Sequence, residues 1–294
     1  LSCWQVRRIN RALRAAGAPD NLVTTVTAPS LENTNAMMAH PKVRMLVATG
    51  GPGIVKAVLS SGKKAIGAGA GNPPAVVDET ADIEHAAKCI VDGASFDNNL
   101  PCTAEKEIIA VDSIADMLKF CMIKHGAYEA TAAEVAELEK LLVDGDKPRT
   151  EWVGKSAAKI LEAIGVTPPP GVRLIVCEAS ANHPFVVHEL MMPVLGLVRV
   201  PDVDAAIDLA VELEHGNRHT AVMHSLNVSK LTRMGKLIQT TIFVKNGPSY
   251  NGIGIGGEGY PTFTIAGPTG EGLTSARSFT RKRRCVLVGD LNVR

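Results

Sequence analysis

Short apolar runs alternate with longer amphipathic stretches along this chain, and that alternation constrains the fold more than any other feature. The apolar runs predict strands at residues 43–48, 64–67, 75–78, 108–111, 173–177, 194–200, 221–224, 242–245 and 283–288. Amphipathic spacing predicts helices over residues 4–16, 31–40, 83–92, 114–125, 203–214 and 228–238. Strands separated by helices of this length favour a mainly parallel α/β sheet.

Several predicted helices carry signals at their ends. Ser30 and Asp82 are suited to cap the helices that follow them, and Thr131 with Glu134 has the spacing of a capping box. Gly93 is expected just beyond a helix end, because glycine often terminates helices.

The composition argues against some partners. The 294 residues have a formal net charge of +1 and 4% aromatic side chains, so neither an attractive field for a polyanion nor a base-stacking platform is expected. The basic cluster at residues 281–284 is interpreted as a solvated face or an edge-strand guard. We therefore predict no nucleic-acid partner. We also predict no membrane partner, since no apolar run reaches about 18 residues.

The cysteine pattern indicates a reducing compartment. Six cysteines are scattered without a CxxC pair, which argues against a zinc knuckle, and no metal site is predicted. A chain of this size does not need disulfides, so reduced thiols in a cytosolic compartment are expected. No signal peptide is recognisable. The first residue is Leu rather than Met, and we expect that an upstream part is missing from the sequence.

The segment SFDNNLPCTAEKE places Cys102 on a shaped loop, because adjacent amides and a proline do not suit a helix interior or a central strand. One interpretation is a buried structural cysteine, the commonest role of this residue. The other is a nucleophile, with Asn98, Asn99 and free backbone N–H groups holding an oxyanion. A loop or helix terminus would lower the pKa of the Cys102 thiol.

Two glycine-rich segments follow predicted strands. TGGPG (49–53) joins a strand to a helix, where glycines let a backbone approach a ligand and free N–H groups attract phosphate. A simple connection is equally consistent with it, since the pattern is not GxGxxG. GAGAG (67–71) leaves a strand exit almost without side chains, either for a large neighbour or for close packing.

Four segments, in their order and spacing, resemble the aldehyde dehydrogenase superfamily. SFDNNLPC resembles its active-site cysteine segment, LVATGGPGIVKAV its nicotinamide-side glycine turn, GAGAGNPPAVVDETADI its Glu-Leu-Gly-Gly strand and HELMMPVL its Glu-x-Phe-Gly-Pro element. TTIFVKNGPSYNGIGIGGEG and PTGEGLTSARSFTRKRRCVLV resemble the CoA-acylating branch, the propionaldehyde and acetaldehyde dehydrogenases of propanediol and ethanolamine utilisation.

The resemblance implies an α/β, aldehyde dehydrogenase-like fold with three parts. These are the remainder of an NAD-binding, Rossmann-type domain (1–70), a catalytic domain (71–262) and a C-terminal return segment with an oligomerisation strand (263–294). Family members have a longer N-terminal part, so the chain is expected to be a C-terminal portion.

The resemblance also implies roles for individual residues. Cys102 is the implied nucleophile, which would form a thioester. Glu189 would hold the nicotinamide ribose, although a surface carboxylate is the alternative, and Met191 replaces the Phe of the pattern. The remaining implied cofactor contacts are Thr49, Gly50, Gly51 and Ile54.

Ala68 stands where hydrolytic family members have the Glu that activates water. Alanine cannot act as a base, so the thioester is expected to wait for CoA thiol. The bases considered for that thiol are His183, His188, His215, His219 and His224. The implied reaction converts a short aldehyde, NAD and CoA into acyl-CoA and NADH. A hydrolytic aldehyde dehydrogenase, a cysteine acyltransferase without redox chemistry and a truncated, inactive assembly module are the alternatives.

The implied partners and location follow from the same resemblance. We expect a homo-oligomer, a dimer or a tetramer, with the aldehyde and CoA as small-molecule partners. The expected location is the bacterial cytoplasm, including the interior of a bacterial microcompartment with shell or cargo proteins as neighbours.

Overall fold

The computed structural model describes residues 1–145, 147–259 and 261–289. Its helices are α1 (Ser2–Ala15), α2 (Leu31–Ala39), α3 (Pro52–Leu59), α4 (Ile83–Ser95), α5 (Asp112–Lys124), α6 (Ala132–Leu142), α7 (Ala157–Ala163), α8 (Pro184–Val187), α9 (Val203–Leu213) and α10 (Val228–Ile238). Its strands are β1 (Met45–Thr49), β2 (Lys64–Ala68), β3 (Pro74–Val77), β4 (Glu107–Val111), β5 (Ala127–Glu129), β6 (Val143–Asp144), β7 (Lys147–Pro148), β8 (Leu174–Glu178), β9 (Val194–Val200), β10 (Thr220–His224), β11 (Ile242–Lys245), β12 (Ile265–Ala266) and β13 (Gly272–Leu273). Short 3₁₀ helices cover Phe96–Asn99, Ser249–Ile253 and Ala276–Phe279.

Seven strands form one sheet in the order β11-β10-β3-β4-β9-β8-β5, and each neighbouring pair is parallel. The predicted parallel α/β sheet is therefore confirmed. Every residue of the central strand β4 is buried, so its sequence is an apolar run after Glu107 rather than an alternating pattern. Such burial on both sides is typical of parallel sheets covered by helices on each face.

Helices cover both faces of the large sheet. On one face, Ile90 of α4 and Leu118 of α5 pack with Ile108 of β4. On the other face, Ile207 of α9 packs with Ile109 of β4. A third core lies under β8 and β9, where α6, α7 and α8 contribute. Each fully buried side chain of this size stabilises the fold by about 1.5–3 kcal/mol. These layers therefore fix the sheet edge that carries the candidate site.

Strands β1 and β2 form a separate parallel pair with a thinner core. Leu46, Ala48 and Val58 are its buried apolar residues. Val47 of β1 and Ile54 of α3 are exposed. The pair presents the glycine-rich turn between β1 and α3 on an open surface.

The predicted caps are confirmed, but one helix end is not where the sequence suggested. Ser30, Asp82 and Thr131 each accept a hydrogen bond from a backbone N–H in the first turn of their helices. Helix α4 continues through Gly93 to Ser95. A Cβ at Gly93 would lie 2.3 Å from the Glu105 carboxylate, so the glycine leaves room for the Glu105 side chain and does not end the helix.

The strand predicted at residues 283–288 is not formed within the part of this chain that the structure describes. Residues 281–288 carry no strand, and Val286 and Val288 are exposed. A strand needs a hydrogen-bonding neighbour, and the described residues supply none for this segment. Helices α7 and α8 and strand β5 were not predicted, because they are short and lie among prolines and glycines.

Candidate active site

Four neighbouring strands of the large sheet receive the segments that build the candidate site. Gly71 lies before β3, Cys102 before β4, Glu189 before β9 and His219 directly before β10. These strands are adjacent and parallel in the order β10-β3-β4-β9, so their amino ends meet at one edge. Four segments far apart in sequence are thereby brought to the same place.

Gly71 is the contact point between these segments. A Cβ at Gly71 would lie 2.9 Å from the carbonyl oxygen of Cys102 and 3.0 Å from the His219 ring. Burial raises the pKa of Glu189, and the backbone N–H of Gly71 is one of the groups that oppose this rise, so the two residues lie close together. The absence of a side chain at Gly71 therefore allows Cys102, His219 and Glu189 to share one centre.

Cys102 lies on the loop between the 3₁₀ helix Phe96–Asn99 and β4, and it is only partly buried. Burial raises the pKa of the Cys102 thiol, and the nearby Glu189 carboxylate raises it further. Lys106 and the backbone N–H of Cys102 itself oppose that rise. The lowered thiol pKa expected from the sequence is thus wrong for this structure, because desolvation outweighs the favourable neighbours.

The Asn99 amide is not free to hold an oxyanion, and the Asn98 amide uses one of its two N–H donors elsewhere. The Asn99 amide nitrogen donates to the carbonyl oxygens of Ala94 at 2.8 Å and Glu105 at 2.9 Å. The Asn98 amide nitrogen donates to the Gly154 carbonyl at 3.1 Å. Both side chains hold a turn with positive φ, and the oxyanion role predicted for the Asn99 amide is wrong.

The backbone N–H of Cys102 fits the oxyanion role better. It donates to no other backbone carbonyl in residues 1–145, 147–259 and 261–289. It belongs to the same residue as the reacting sulfur, and it opposes the rise that burial causes in the thiol pKa. A carbonyl attacked by that sulfur would place its oxygen near the same N–H.

Lys106 is a buried cation that sequence reasoning missed. Only 3% of its surface is exposed, and its Nζ donates to the Asn99 carbonyl at 2.9 Å, the Asn99 side-chain oxygen at 2.6 Å and the Pro101 carbonyl at 3.1 Å. Burial lowers the pKa of Lys106 to about 8. The signal was available in Glu-Lys-Glu at residues 105–107, because three charges at the start of an apolar strand are unusual.

The flanking carboxyl groups are also buried. Glu105 accepts hydrogen bonds from the Ser249 backbone at 2.8 Å and hydroxyl at 2.7 Å, and burial raises its pKa to about 7. This contact fixes the glycine-rich segment at 249–259 against the Cys102 loop, together with the Phe96–Tyr250 ring contact. Burial raises the pKa of Glu107 well above its ordinary value, and its carboxyl oxygens find no partner among the described residues.

Of the five histidines considered, His219 is the one that the described residues place beside the Cys102 loop. Its Nδ1 lies 2.8 Å from the Thr220 hydroxyl, and its backbone N–H donates to Glu214. Burial lowers the pKa of His219 to about 4, so the ring is neutral at physiological pH. Its Nε2 is buried without a hydrogen-bond partner in the described part of the chain. His224 lies at the opposite end of β10.

Glu189 lies in the same centre, not on the open surface. Burial raises its pKa, while Lys106 and the Gly71 N–H oppose the rise. Its Oε1 is buried and has no partner within the residues that the structure describes. An unsatisfied acceptor of this kind fits a donor from a ligand, such as a ribose hydroxyl.

The predicted cofactor residues form a second region at the β1–α3 turn. Thr49 ends β1, and the Gly50 N–H donates to the Ala68 carbonyl of β2 at 3.0 Å. Gly51 is the N-cap of α3, and Ile54 lies in the first turn of that helix. A Cβ at Gly51 would meet no described atom within 4 Å. The open space beside free helix N–H groups fits a diphosphate.

A cleft of about 630 Å³ lies between this turn and the segments of the catalytic centre. Lys56 of α3 and Arg218, the residue before His219, lie on its walls. Gly69 and Ala70, just ahead of Gly71, also line it. The cleft is thus bounded by α3 and by the segments that precede Gly71 and His219, and its two cations suit an anionic ligand.

Comparison with known proteins places the chain in a family. A profile of the aldehyde dehydrogenase family matches residues 2–127. The chain belongs to the aldehyde dehydrogenase family, which confirms the resemblance seen in its motifs.

The related proteins include CoA-acylating enzymes. Over 275 residues the chain is 53% identical to the propanal dehydrogenase (CoA-propanoylating) of Citrobacter freundii, covering 93% of this chain and 60% of that protein. It is 67% identical to Rhodopseudomonas palustris propionaldehyde dehydrogenase, solved with bound CoA and an acylated cysteine (TM-score 0.93; 96% of this chain, 64% of that one). A propionaldehyde dehydrogenase from the Clostridium phytofermentans fucose utilisation bacterial microcompartment is 50% identical (TM-score 0.94; 100% and 68%). The chain thus spans 60% to 68% of the length of these relatives.

Proposed function

We propose that this chain carries the catalytic centre of a CoA-acylating aldehyde dehydrogenase. The enzyme would convert a short aliphatic aldehyde, propionaldehyde or acetaldehyde, with NAD and CoA into acyl-CoA and NADH. The observation that carries the proposal is the contact at Gly71, which unites the Cys102 loop, a neutral His219 and the Glu189 carboxyl. The relatives solved with CoA or named for CoA acylation support the same reaction class.

Cys102 performs the first step. Its sulfur, once deprotonated, adds to the carbonyl carbon of the aldehyde, and its backbone N–H donates a hydrogen bond to the oxygen that becomes negative. Bound NAD supplies the acceptor for the hydride that leaves the former aldehyde carbon. The product of this half-reaction on the protein is an acyl thioester of Cys102.

His219 serves the second half-reaction. Its neutral ring can accept the proton of the CoA thiol, since Nε2 is without a partner among the described residues. The CoA sulfur then attacks the thioester carbonyl, and Cys102 leaves as a thiolate. Ala68 offers no base for water, which favours transfer to CoA over hydrolysis.

The residues at the β1–α3 turn would hold the cofactor. Thr49, Gly50, Gly51 and Ile54 lie together there, and Gly51 leaves space for a diphosphate at the start of α3. The unsatisfied Oε1 of Glu189 would accept a hydrogen bond from the nicotinamide ribose. This assignment supports the proposed roles of residues 1–70 in cofactor binding and 71–262 in catalysis.

We further propose that the protein acts as a homo-oligomer, a dimer or a tetramer. Met117, Phe120 and Ile123 form an exposed apolar stripe on α5, each between 47% and 57% exposed. Val286, Leu287 and Val288 are exposed as well, so the segment at 263–294 could supply a strand to a second copy. Light scattering at several protein concentrations would test this, and a monomer at all of them would contradict it.

The proposed location is the bacterial cytoplasm or a microcompartment within it, supported by the microcompartment origin of one relative. None of the helices in the described residues has the length and apolar character needed to cross a membrane.

The test is NADH formation from propionaldehyde and NAD, measured by absorbance with and without CoA. Sustained turnover that requires CoA and is lost in Cys102→Ala is expected. The same assay on the chain extended at its N-terminus with the corresponding part of a relative shows whether this chain suffices.

The result separates the alternatives. Turnover without CoA would indicate a hydrolytic enzyme. Acyl exchange between thiols without NADH would indicate an acyltransferase. No reaction in either form of the chain would contradict the proposal and favour an inactive assembly module.

A further inference from the structure

We propose that Lys106 is a positioning residue for Cys102: it turns the Pro101–Cys102 peptide so that the Cys102 N–H faces the reacting carbonyl, and its charge stabilises the thiolate. The inference rests on the proposed role of Cys102 as nucleophile.

All the hydrogen bonds that Lys106 donates go to the loop that precedes the nucleophile. An ammonium group has three N–H donors. They reach the backbone carbonyl and the side-chain oxygen of Asn99 and the carbonyl of Pro101. In the described residues Lys106 forms no salt bridge, although buried lysines usually pair with a carboxylate. The cation is therefore held by neutral oxygens of the Cys102 loop.

The bond from Lys106 to Pro101, together with the one that the same carbonyl accepts from the Ala104 N–H at 3.1 Å, fixes the direction of the Cys102 N–H. Every peptide bond that the structure describes is trans, and in a trans peptide the C=O and N–H bonds point in opposite directions. With the Pro101 oxygen anchored on Lys106 at 3.1 Å, the Cys102 N–H must point away from the lysine. No backbone carbonyl among the described residues accepts it, which leaves it available to the substrate oxygen.

The same lysine holds a backbone conformation that would not persist alone. Asp97, Asn98 and Asn99 have φ values of 47°, 52° and 65° in succession. The left-handed conformation costs about 1–2 kcal/mol for a typical non-glycine residue, although Asn and Asp tolerate it better than most. Lys106 donates hydrogen bonds to both the backbone and the side-chain oxygen of Asn99, the last of these residues. Its loss would let the turn relax and move Cys102.

The charge of Lys106 also reaches the thiol. It lowers the pKa of Cys102, against the larger effect of burial and the effect of Glu189. The other titratable groups around the lysine are Glu105, Glu107 and His219. Burial raises the pKa of each of these two carboxyls, so the protons they keep limit how far they offset the cation. The His219 ring is neutral at physiological pH.

The experiment measures the alkylation rate of Cys102 by iodoacetamide against pH, resolved by peptide mass spectrometry. It compares the unmodified chain with Lys106→Met, Lys106→Arg and Lys119→Met. Lys119 is a matched control, because it is a largely buried lysine that pairs with Glu129 and Glu178 away from Cys102. The alkylation rate of the exposed Cys285 serves as an internal standard for the reactivity of the reagent.

At pH 7, where Lys106 with its pKa of about 8 is charged, Lys106→Met should slow the alkylation of Cys102 about tenfold, the change in thiolate fraction for a shift of about one pKa unit. It should also slow acylation of Cys102 by propionyl-CoA by about 10²-fold, the scale of one misdirected oxyanion donor. Lys106→Arg should recover most of the alkylation rate at pH 7, since it keeps the charge. Lys119→Met should keep both values.

Unchanged rates of alkylation at pH 7 and of acylation in folded Lys106→Met would overturn the proposal. So would an equal effect of Lys119→Met, which would indicate general loosening. If circular dichroism shows that Lys106→Met is unfolded, the neutral donor variant Lys106→Gln decides, with the same loss of alkylation rate at pH 7 expected. If unmodified Cys102 is alkylated but never acylated, the proposed function fails, and the alkylation profiles still judge Lys106.

Discussion

The turn at β1–α3 and the centre around Cys102 are built in opposite ways. The turn lies at the carboxyl end of a strand with one exposed face, and Gly51 and Gly53 leave open space there beside a helix start. The centre lies at the amino ends of four buried strands and consists of side chains packed without room for a Cβ at Gly71. The first suits a ligand that arrives and leaves, and the second suits groups that must stay fixed.

The two regions also differ in the free energy needed to desolvate their charged groups. A glycine turn places no charge in the interior. The centre buries Glu105, Lys106 and Glu107, which are consecutive in sequence. Burial shifts the pKa of each in the direction that favours its neutral form. Such groups are expensive to desolvate. Their concentration at one sheet edge supports the proposed chemistry there, whereas the open turn supports the proposed binding role.

The largest effect is expected at His219. His219→Asn should lower the rate of acyl transfer to CoA by about 10³-fold, the middle of the range for a general base. The first burst of NADH should remain, because Cys102 still reacts with the aldehyde. Rapid-mixing absorbance measurements separate the two phases.

His224 provides the matched control, because it is equally buried in the same region of sequence and its pKa is also lowered to about 4. His224→Asn should leave acyl transfer within about twofold, the scatter typical of individual contributions. Equal losses in the two variants would mean that His219 acts through β10 packing alone.

A smaller effect is expected from Gly71→Ala. The new methyl group would lie 2.9 Å from the Cys102 carbonyl oxygen, so the loop must move. A displacement near 1 Å can cost about 10²-fold in rate, and we expect a loss of that size in Cys102 acylation. Stopped-flow acylation with propionyl-CoA measures it. An unchanged rate would show that the contact does not set the position of Cys102.

Gly51→Ala should behave differently from Gly71→Ala. The added methyl group meets no described atom, so thermal stability should not fall. It would occupy the space assigned to the cofactor diphosphate and should raise the KM for NAD about tenfold, equivalent to about 1.4 kcal/mol. Steady-state kinetics at varied NAD give the answer. A loss of kcat with unchanged KM would remove the contrast between binding turn and catalytic centre.

The smallest effect at neutral pH concerns stability. Burial lowers the pKa of His224 to about 4 from a model-peptide value of 6.5. Because the unfolded chain takes up a proton first, the stability contributed by this residue is present above pH 6.5 and is lost as pH falls towards 4. Between pH 7 and pH 5, the free energy of unfolding should therefore fall by about 2 kcal/mol less in His224→Asn than in the unmodified chain. Urea unfolding at both values tests this, and parallel losses would contradict it.

Much of the large sheet could be predicted because its strands are buried on both faces. The apolar run at 194–200 and the helical pattern at 228–238 gave the bounds of β9 and α10. The Cys102 loop could also be predicted, since its amides and proline exclude regular structure. These signals are local, and each depends only on residues close in the chain.

The rest of the site depends on which strands are neighbours, which no local pattern records. Gly71 meets Cys102 and His219 only because β3 lies between β10 and β4. The sequence assigned the Asn99 amide to an oxyanion, whereas the carbonyls of Ala94 and Glu105 compete for it in the folded chain. The lowered thiol pKa expected for Cys102 failed for the same reason, since its burial comes from distant segments.

The most direct test is the mass of this chain after incubation with propionyl-CoA, followed by peptide mapping. The acyl group moves from the CoA sulfur to the Cys102 sulfur and releases CoA thiol, so no NAD is required. The account predicts one propionyl group on Cys102, none in Cys102→Ala, and its removal by added CoA. Label spread over Cys3 and Cys285, with none on Cys102, would contradict it.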